Sequence, residues 1–120
     1  MSEISTSEYE DTIIKIVTEN WRLMKLFVKV LTKLEASEAH RYMNQVRYFQ
    51  KTINDNLELI NLRIVDLEGQ LYDPGMAASP LNIDEFDADA KLVVEQMLEP
   101  LIMGNEGIKK QATINLMRVQ

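Results

Sequence analysis

Apolar residues recur three and four apart along the first half of the chain. Ile14, Val17, Trp21, Met24, Val28 and Leu31 form one stripe between about residues 5 and 35, with the spacing of a coiled-coil seam. A second stripe, Ile13, Ile16, Leu23, Phe27, Val30 and Leu34, runs beside it and makes the apolar face wider than a two-stranded seam uses. The pattern predicts a helix with more than one neighbour, and its first stripe is the expected dimerisation seam. Ser5 or Ser7 is placed to cap the helix start, and the acidic residues around them suit the positive end of the helix dipole.

Residues 35–41 interrupt the pattern without a helix breaker, and Ser37 among them is a candidate N-cap for a second helix. The stripe resumes at Tyr42, Val46, Phe49, Ile53, Leu57, Ile60, Ile64 and Leu67, with Gly69 where a C-terminal cap belongs, so this helix is expected to reach Glu68. Two arrangements fit: an antiparallel hairpin turning near Ser37, or one rod of about 64 residues and roughly 96 Å that buries its stripes against another chain. Asn56 falls on the second stripe, where it either sets register or faces solvent.

The character changes at Gly69-Gln-Leu-Tyr-Asp-Pro-Gly-Met76. Before it there is neither Gly nor Pro; from it onward stand all 4 glycines and all 3 prolines. Asp73-Pro74-Gly75 reads as a turn of type II, with Pro fixing the first central φ and Gly taking the positive φ that follows. Residues 79–90, with Pro80 and the run Asp84-Glu85-Phe86-Asp87-Ala88-Asp89, read as an exposed acidic loop with room for one helical turn. Residues 92–98 and 112–119 read as two strands paired in hairpin fashion, with Pro100 and Gly104-Asn-Glu-Gly107 as the intervening loop and turn. Ala112, Ile114 and Leu116 share one face of the second strand, and Thr113, Asn115 and Met117 share the other. The expected domains are therefore a helical region over residues 1–68 and a small β-rich domain over residues 69–120.

Composition narrows the function classes. A chain of 120 residues with 46% hydrophobic content can build a core, and a formal charge of −6 opposes binding to a phosphate backbone. With no Cys there is no disulfide, Cys-rich zinc site or thiol nucleophile. Residues 1–11 carry Glu3, Glu8, Glu10 and Asp11 where an export signal would be basic and then apolar, and residues 23–34 are too short and too lysine-rich to span a bilayer. A cytoplasmic, non-membrane location is expected. His40 is the single His, so no His pair exists for a metal or proton relay. The acidic residues between 84 and 89 lack the central Gly and final Glu of a calcium loop, and Glu95 with Glu99 has no catalytic companion nearby. Lys109-Lys110 is too short for a nucleic-acid patch and reads as turn solubility. No catalytic residue, metal or cofactor is assigned, and Trp21 with Met24 and Phe27 reads as bundle core.

The order of parts carries a resemblance. Leu57, Ile60, Ile64 and Leu67, then the segment Gly69 to Met76, then Leu92-Val93-Val94-Glu95, resemble GrpE-type nucleotide exchange factors of DnaK-type chaperones. In that family a Gly-x-x-Phe-Asp-Pro stretch follows the helices and opens a β domain with a Val-rich segment. This chain has Ala77-Ala78-Ser79 where the family has His-Glu-Ala, and Lys110-Gln111-Ala112 where it has Arg-Pro-Ala, as a divergent and short relative would. The resemblance implies a homodimeric cochaperone without covalent chemistry, whose β domain wedges against an actin-fold ATPase and favours its open, ADP-releasing state. It places partner contact at surface residues of the turn and tail, namely Gln70, Tyr72, Asp73 and Met76. Asp73 has an alternative task in organising its own turn, and Tyr72 in packing against the sheet.

The expectation is an α+β protein: a long amphipathic helix or helical hairpin in a dimeric bundle, followed by a small β domain. It acts by contact with a DnaK-type ATPase or another protein. The alternative function is a non-catalytic structural adaptor that assembles a larger complex through its helices.

Overall fold

A computed structural model describes residues 3–120. The fold class is α+β: helices α1 (Thr6–Leu31) and α2 (Ala36–Leu59) precede strands β1 (Leu62–Val65), β2 (Ala78–Pro80), β3 (Leu92–Glu99), β4 (Leu101–Gly104), β5 (Gly107–Lys110) and β6 (Ala112–Arg118). A single 3₁₀ turn, Ile83–Glu85, lies between β2 and β3. The chain divides after Leu57 into two compact units.

In the first unit, Ser5 caps α1. Its hydroxyl oxygen accepts the Glu8 N–H at 3.1 Å, satisfying an otherwise orphan donor of the first turn, and the hydroxyl donates to the Glu8 carboxylate at 3.2 Å. Residues 32–35 break the helix, so a hairpin replaces the rod, and residues of both helices line one groove. Ser37 does not cap α2. Its position is inside the first turn, and the Glu35 carbonyl accepts the first helical bond, from the Ala39 N–H at 2.9 Å.

The second helix stops nine residues short of Glu68, and the unit boundary falls after Leu57 instead of after residue 68. Asn61 causes this. Its φ of 62° is left-handed, its N–H bonds to the Glu58 carbonyl at 3.1 Å, and a helix cannot continue through that conformation. Leu62 then enters β1, so the four-and-three spacing of Ile60, Ile64 and Leu67 belongs to a strand and a turn.

The second unit contains two three-stranded sheets, ordered β1-β4-β5 and β2-β6-β3. The first is antiparallel throughout, and β4 and β5 close a tight hairpin between Gly104 and Gly107. In the second, β6 is central, antiparallel to β3 and parallel to β2. The two expected strands therefore pair, but β4 and β5 intervene between them, and the segment expected to open the acidic loop is β2. Pro80 is tolerated because β2 is an edge. Ala112, Ile114 and Leu116 are buried as the alternation predicts, beside Leu62, Val94, Met97, Pro100 and Ile102. Each buried Val, Leu, Ile or Met side chain among these contributes about 1.5–3 kcal/mol.

Candidate functional site

The segment singled out for partner contact is built into the sheet. Gly69, at φ 87°, turns the chain while the Gln70 N–H bonds to the Leu67 carbonyl at 3.1 Å. Residues 69–72 then lie along β3: the Gly69 and Tyr72 N–H groups donate to the Val94 and Leu92 carbonyls at 2.9 Å, and Val94 N–H donates to the Gln70 carbonyl at 2.9 Å. Leu71 stands opposite Val93 in an antiparallel bridge. The glycine gives the reversal and β3 gives the register, so the side chains of residues 71 and 72 have fixed directions.

The following turn differs from the type II expectation. Met76 N–H bonds to the Asp73 carbonyl at 2.9 Å, but Gly75 lies outside the left-handed region, because the Asp73 carboxylate accepts the Gly75 N–H at 3.0 Å and closes the turn from its own side chain. Asp73 thus organises its turn. Gln70 folds back, its amide donating to the Asp66 carbonyl at 3.3 Å, and Met76 is half-buried. Of the four partner-binding candidates, Tyr72 lines a cavity of this unit.

That cavity, about 510 Å³, is walled by Leu71, Tyr72, Pro74, Ile83 and Phe86 and closed by residues 87–92. Its far wall is pinned by Asn82. The side-chain amide of Asn82 donates to the Leu116 carbonyl at 2.9 Å, and its oxygen accepts the Leu116 N–H at 2.8 Å, so the acidic loop is tied to the central strand. Arg118 reaches this wall, with its guanidinium 5.8 Å from the Phe86 ring centre and 4.0 Å from the Asp87 carboxylate. The result is a hollow of mixed character, with the charged Asp87, Asp89 and Lys91 among its apolar lining residues. Leu71, 57% exposed, was missed from sequence, where it is one apolar residue in a turn. Its pairing with β3, 22 positions on, is what exposes it.

The helical unit presents two faces. Of the expected dimerisation residues, Ile14, Val17, Trp21 and Leu31 are buried and Met24 and Val28 half-buried within the single chain. The Lys25 ammonium lies 4.9 Å from the Trp21 ring centre. On the neighbouring stripe Ile16, Leu23, Phe27 and Val30 are exposed. Leu23, Met24 and Phe27 join Val46 and Phe49 of α2 around a groove of about 330 Å³, with Asn20 and Gln45 as its polar members. Asn56 is exposed, its amide donating to the Thr52 carbonyl of its own helix at 2.8 Å.

No family model, curated protein or solved structure matches this chain. The likeness to GrpE-type factors therefore rests on the residues quoted from the sequence. Among the described residues no helix is long and apolar enough to cross a membrane, and no group of three or more His, Asp or Glu side chains is placed to hold a metal. His40 is exposed on α2. Lys110 is more than a solubilising residue: its ammonium is 2.9 Å from the Glu99 carboxylate, which also accepts the Thr113 hydroxyl at 3.3 Å.

Proposed function

We propose that the protein is a GrpE-like regulator that binds a DnaK-type ATPase through its β unit and promotes nucleotide release. The observation supporting this reading is a coincidence of place: the Gly-x-x-Tyr-Asp-Pro segment that carries the resemblance is hydrogen-bonded to the edge of β3 and forms one wall of the cavity. Leu71 and Tyr72, held rigidly by β3, are the contact residues, while Asp73 shapes the turn that presents them. The mechanism is conformational. Affinity for the open nucleotide-binding lobes must exceed affinity for the closed ones, since equal affinity would shift no population. A tenfold acceleration of release needs about 1.4 kcal/mol of lower barrier.

The structural-adaptor reading is favoured by a different observation, the exposed apolar stripe of α1. Stopped-flow release of a fluorescent ADP analogue from a DnaK-type chaperone separates the two. Acceleration by the wild type that falls at least tenfold in Leu71→Ala with Tyr72→Ala supports exchange through the β unit. No acceleration with several such ATPases rejects it and leaves the adaptor.

A further inference from the structure

Residues 82–91, which link β2 to β3 and supply the far wall of the cavity, are fastened at both ends and loosely held between. At the entry Asn82 makes its two bonds to the Leu116 backbone. At the exit the Val119 N–H donates to the Lys91 carbonyl at 3.0 Å, and Leu92 pairs with Arg118. Between these points the backbone bonds close on the loop itself: Glu85 N–H to the Asn82 carbonyl at 3.1 Å, Phe86 N–H to the Ile83 carbonyl at 3.2 Å and Ala90 N–H to the Asp87 carbonyl at 3.0 Å. Arg118 ties this stretch to β6 from the side, its guanidinium 5.8 Å from the Phe86 ring centre and 4.0 Å from the Asp87 carboxylate, with the two charged side chains 61% and 84% exposed. An ion pair so long and so exposed is weak and is screened by salt.

The loop faces space where a packed wall would be. The cavity of about 510 Å³ has Ile83 and Phe86 on the loop side and Leu71 and Tyr72 on the other, and Ile83 and Leu71 are left 37% and 57% exposed. Apolar side chains on two sides of an unfilled space gain burial and contact by approaching one another. The strand order gives the direction of such a movement. Leu92 of β3 stands between Arg118, its pairing partner on β6, and Tyr72, whose N–H bonds to the Leu92 carbonyl, so Arg118 and Tyr72 are two strand spacings, about 9–10 Å, apart. We propose that residues 83–90 are a lid hinged at Asn82 and Lys91 and latched towards β6 by Arg118, and that release of the latch lets Ile83 and Phe86 cross the cavity onto Leu71 and Tyr72. Latched, the lid leaves Leu71 open to a partner; released, it covers both contact residues. As control of partner contact the lid rests on the exchange reading, but as a movement of the loop it does not, and the experiment below reads the movement alone.

The wild type has no Cys, so a disulfide can be placed across the cavity. Leu71→Cys with Ala88→Cys sets one thiol on each wall. The rate of disulfide formation under a fixed oxidant, normalised to the reactivity of each thiol alone, reports how often the walls meet, because the bond needs Cα atoms within about 7 Å. Adding Arg118→Gln should raise that rate about two- to fivefold, the range that an exposed ion pair commands. Raising the salt from about 0.01 to 1 M, which shortens the screening length from about 30 to 3 Å, should speed closure with Arg118 in place and leave the Arg118→Gln variant unmoved. Asp87→Asn should act as Arg118→Gln does, and exchanging the charges, Asp87→Arg with Arg118→Asp, should restore the slow rate. Both side chains are exposed, so the far-ultraviolet circular dichroism spectrum should not change in any of these variants. A rate indifferent to Arg118→Gln and to Asp87→Asn overturns the lid, as does the absence of the disulfide in every variant.

Discussion

Glu68 accepts the backbone N–H of Met97 through its carboxylate at 2.8 Å, joining the turn after β1 to a strand 29 positions later. The contact falls between two register shifts of β3 against β6, one between Val94 and Gln96 and one between Met97 and Glu99, and Met97 is 0% exposed. A bulge disrupts the local ladder, and a side chain that reaches it supplies an acceptor away from water. Glu68→Ala should cost about 1.5–3 kcal/mol, the range for a hydrogen bond to a charged group, and Glu68→Gln, which keeps an acceptor, under about half of that. Urea unfolding with an unchanged slope measures both. Equal midpoints for Ala and wild type would mean that Met97 is satisfied without the carboxylate.

Glu68 also shows where sequence reading stopped. The α1 helix, β3, β6 and the inward face of Ala112, Ile114 and Leu116 were legible because each has many residues obeying one period, whereas the cap was narrowed only to Ser5 or Ser7. β1, β2, β4 and β5 have four, three, four and four residues, too few to show a period, and Ile60, Ile64 and Leu67 kept a helical spacing by accident across a helix end, a strand and a turn. Which α1 stripe is inside could not be read, because both repeat at the same spacing and the hairpin partner decides. Tyr72 was legible as part of a turn, but the cavity beside it depends on Phe86 and Ile83 from a loop anchored at Leu116.

Asn82 is that anchor. Its two hydrogen bonds to the Leu116 backbone are part-buried and span 34 positions, and they carry the attachment to β6 one step past the Leu81 N–H bond to the Ile114 carbonyl, where the β2 pairing ends. Asn82→Ala leaves a donor and an acceptor of β6 without this partner and should lower stability by about 2 kcal/mol, two ordinary bonds at about 1 kcal/mol each. Amide hydrogen exchange should quicken at Leu116 while the β1-β4-β5 sheet stays protected. Unaltered protection at Leu116 would contradict the anchoring role.

Asn61 is the residue that converts helix to strand, and its φ of 62° sets the expectation for substitutions. A Cβ-bearing residue without a short polar side chain is strained there by roughly 1–2 kcal/mol, so Asn61→Ala should destabilise by about 1 kcal/mol and Asn61→Val by more. Asn61→Gly should be within a few tenths of a kcal/mol of wild type, the relief of strain being offset by unfolded-state entropy. Thermal unfolding of the three variants, in the order Gly, Ala, Val, is the check, and an Ala variant as stable as Gly would mean that the helix ends for another reason.

Trp21 and Leu23 stand two positions apart on α1, 6% and 66% exposed, and so test which stripe is core. Trp21→Ala opens a cavity among buried side chains and should cost about 3–5 kcal/mol, followed by circular dichroism. Leu23→Ala removes contact at an exposed position and should stay within about 0.5 kcal/mol, followed by Trp21 fluorescence. If Leu23→Ala is as destabilising as Trp21→Ala in dilute solution, the exposed stripe is part of the single chain's own core and the assignment of faces is reversed.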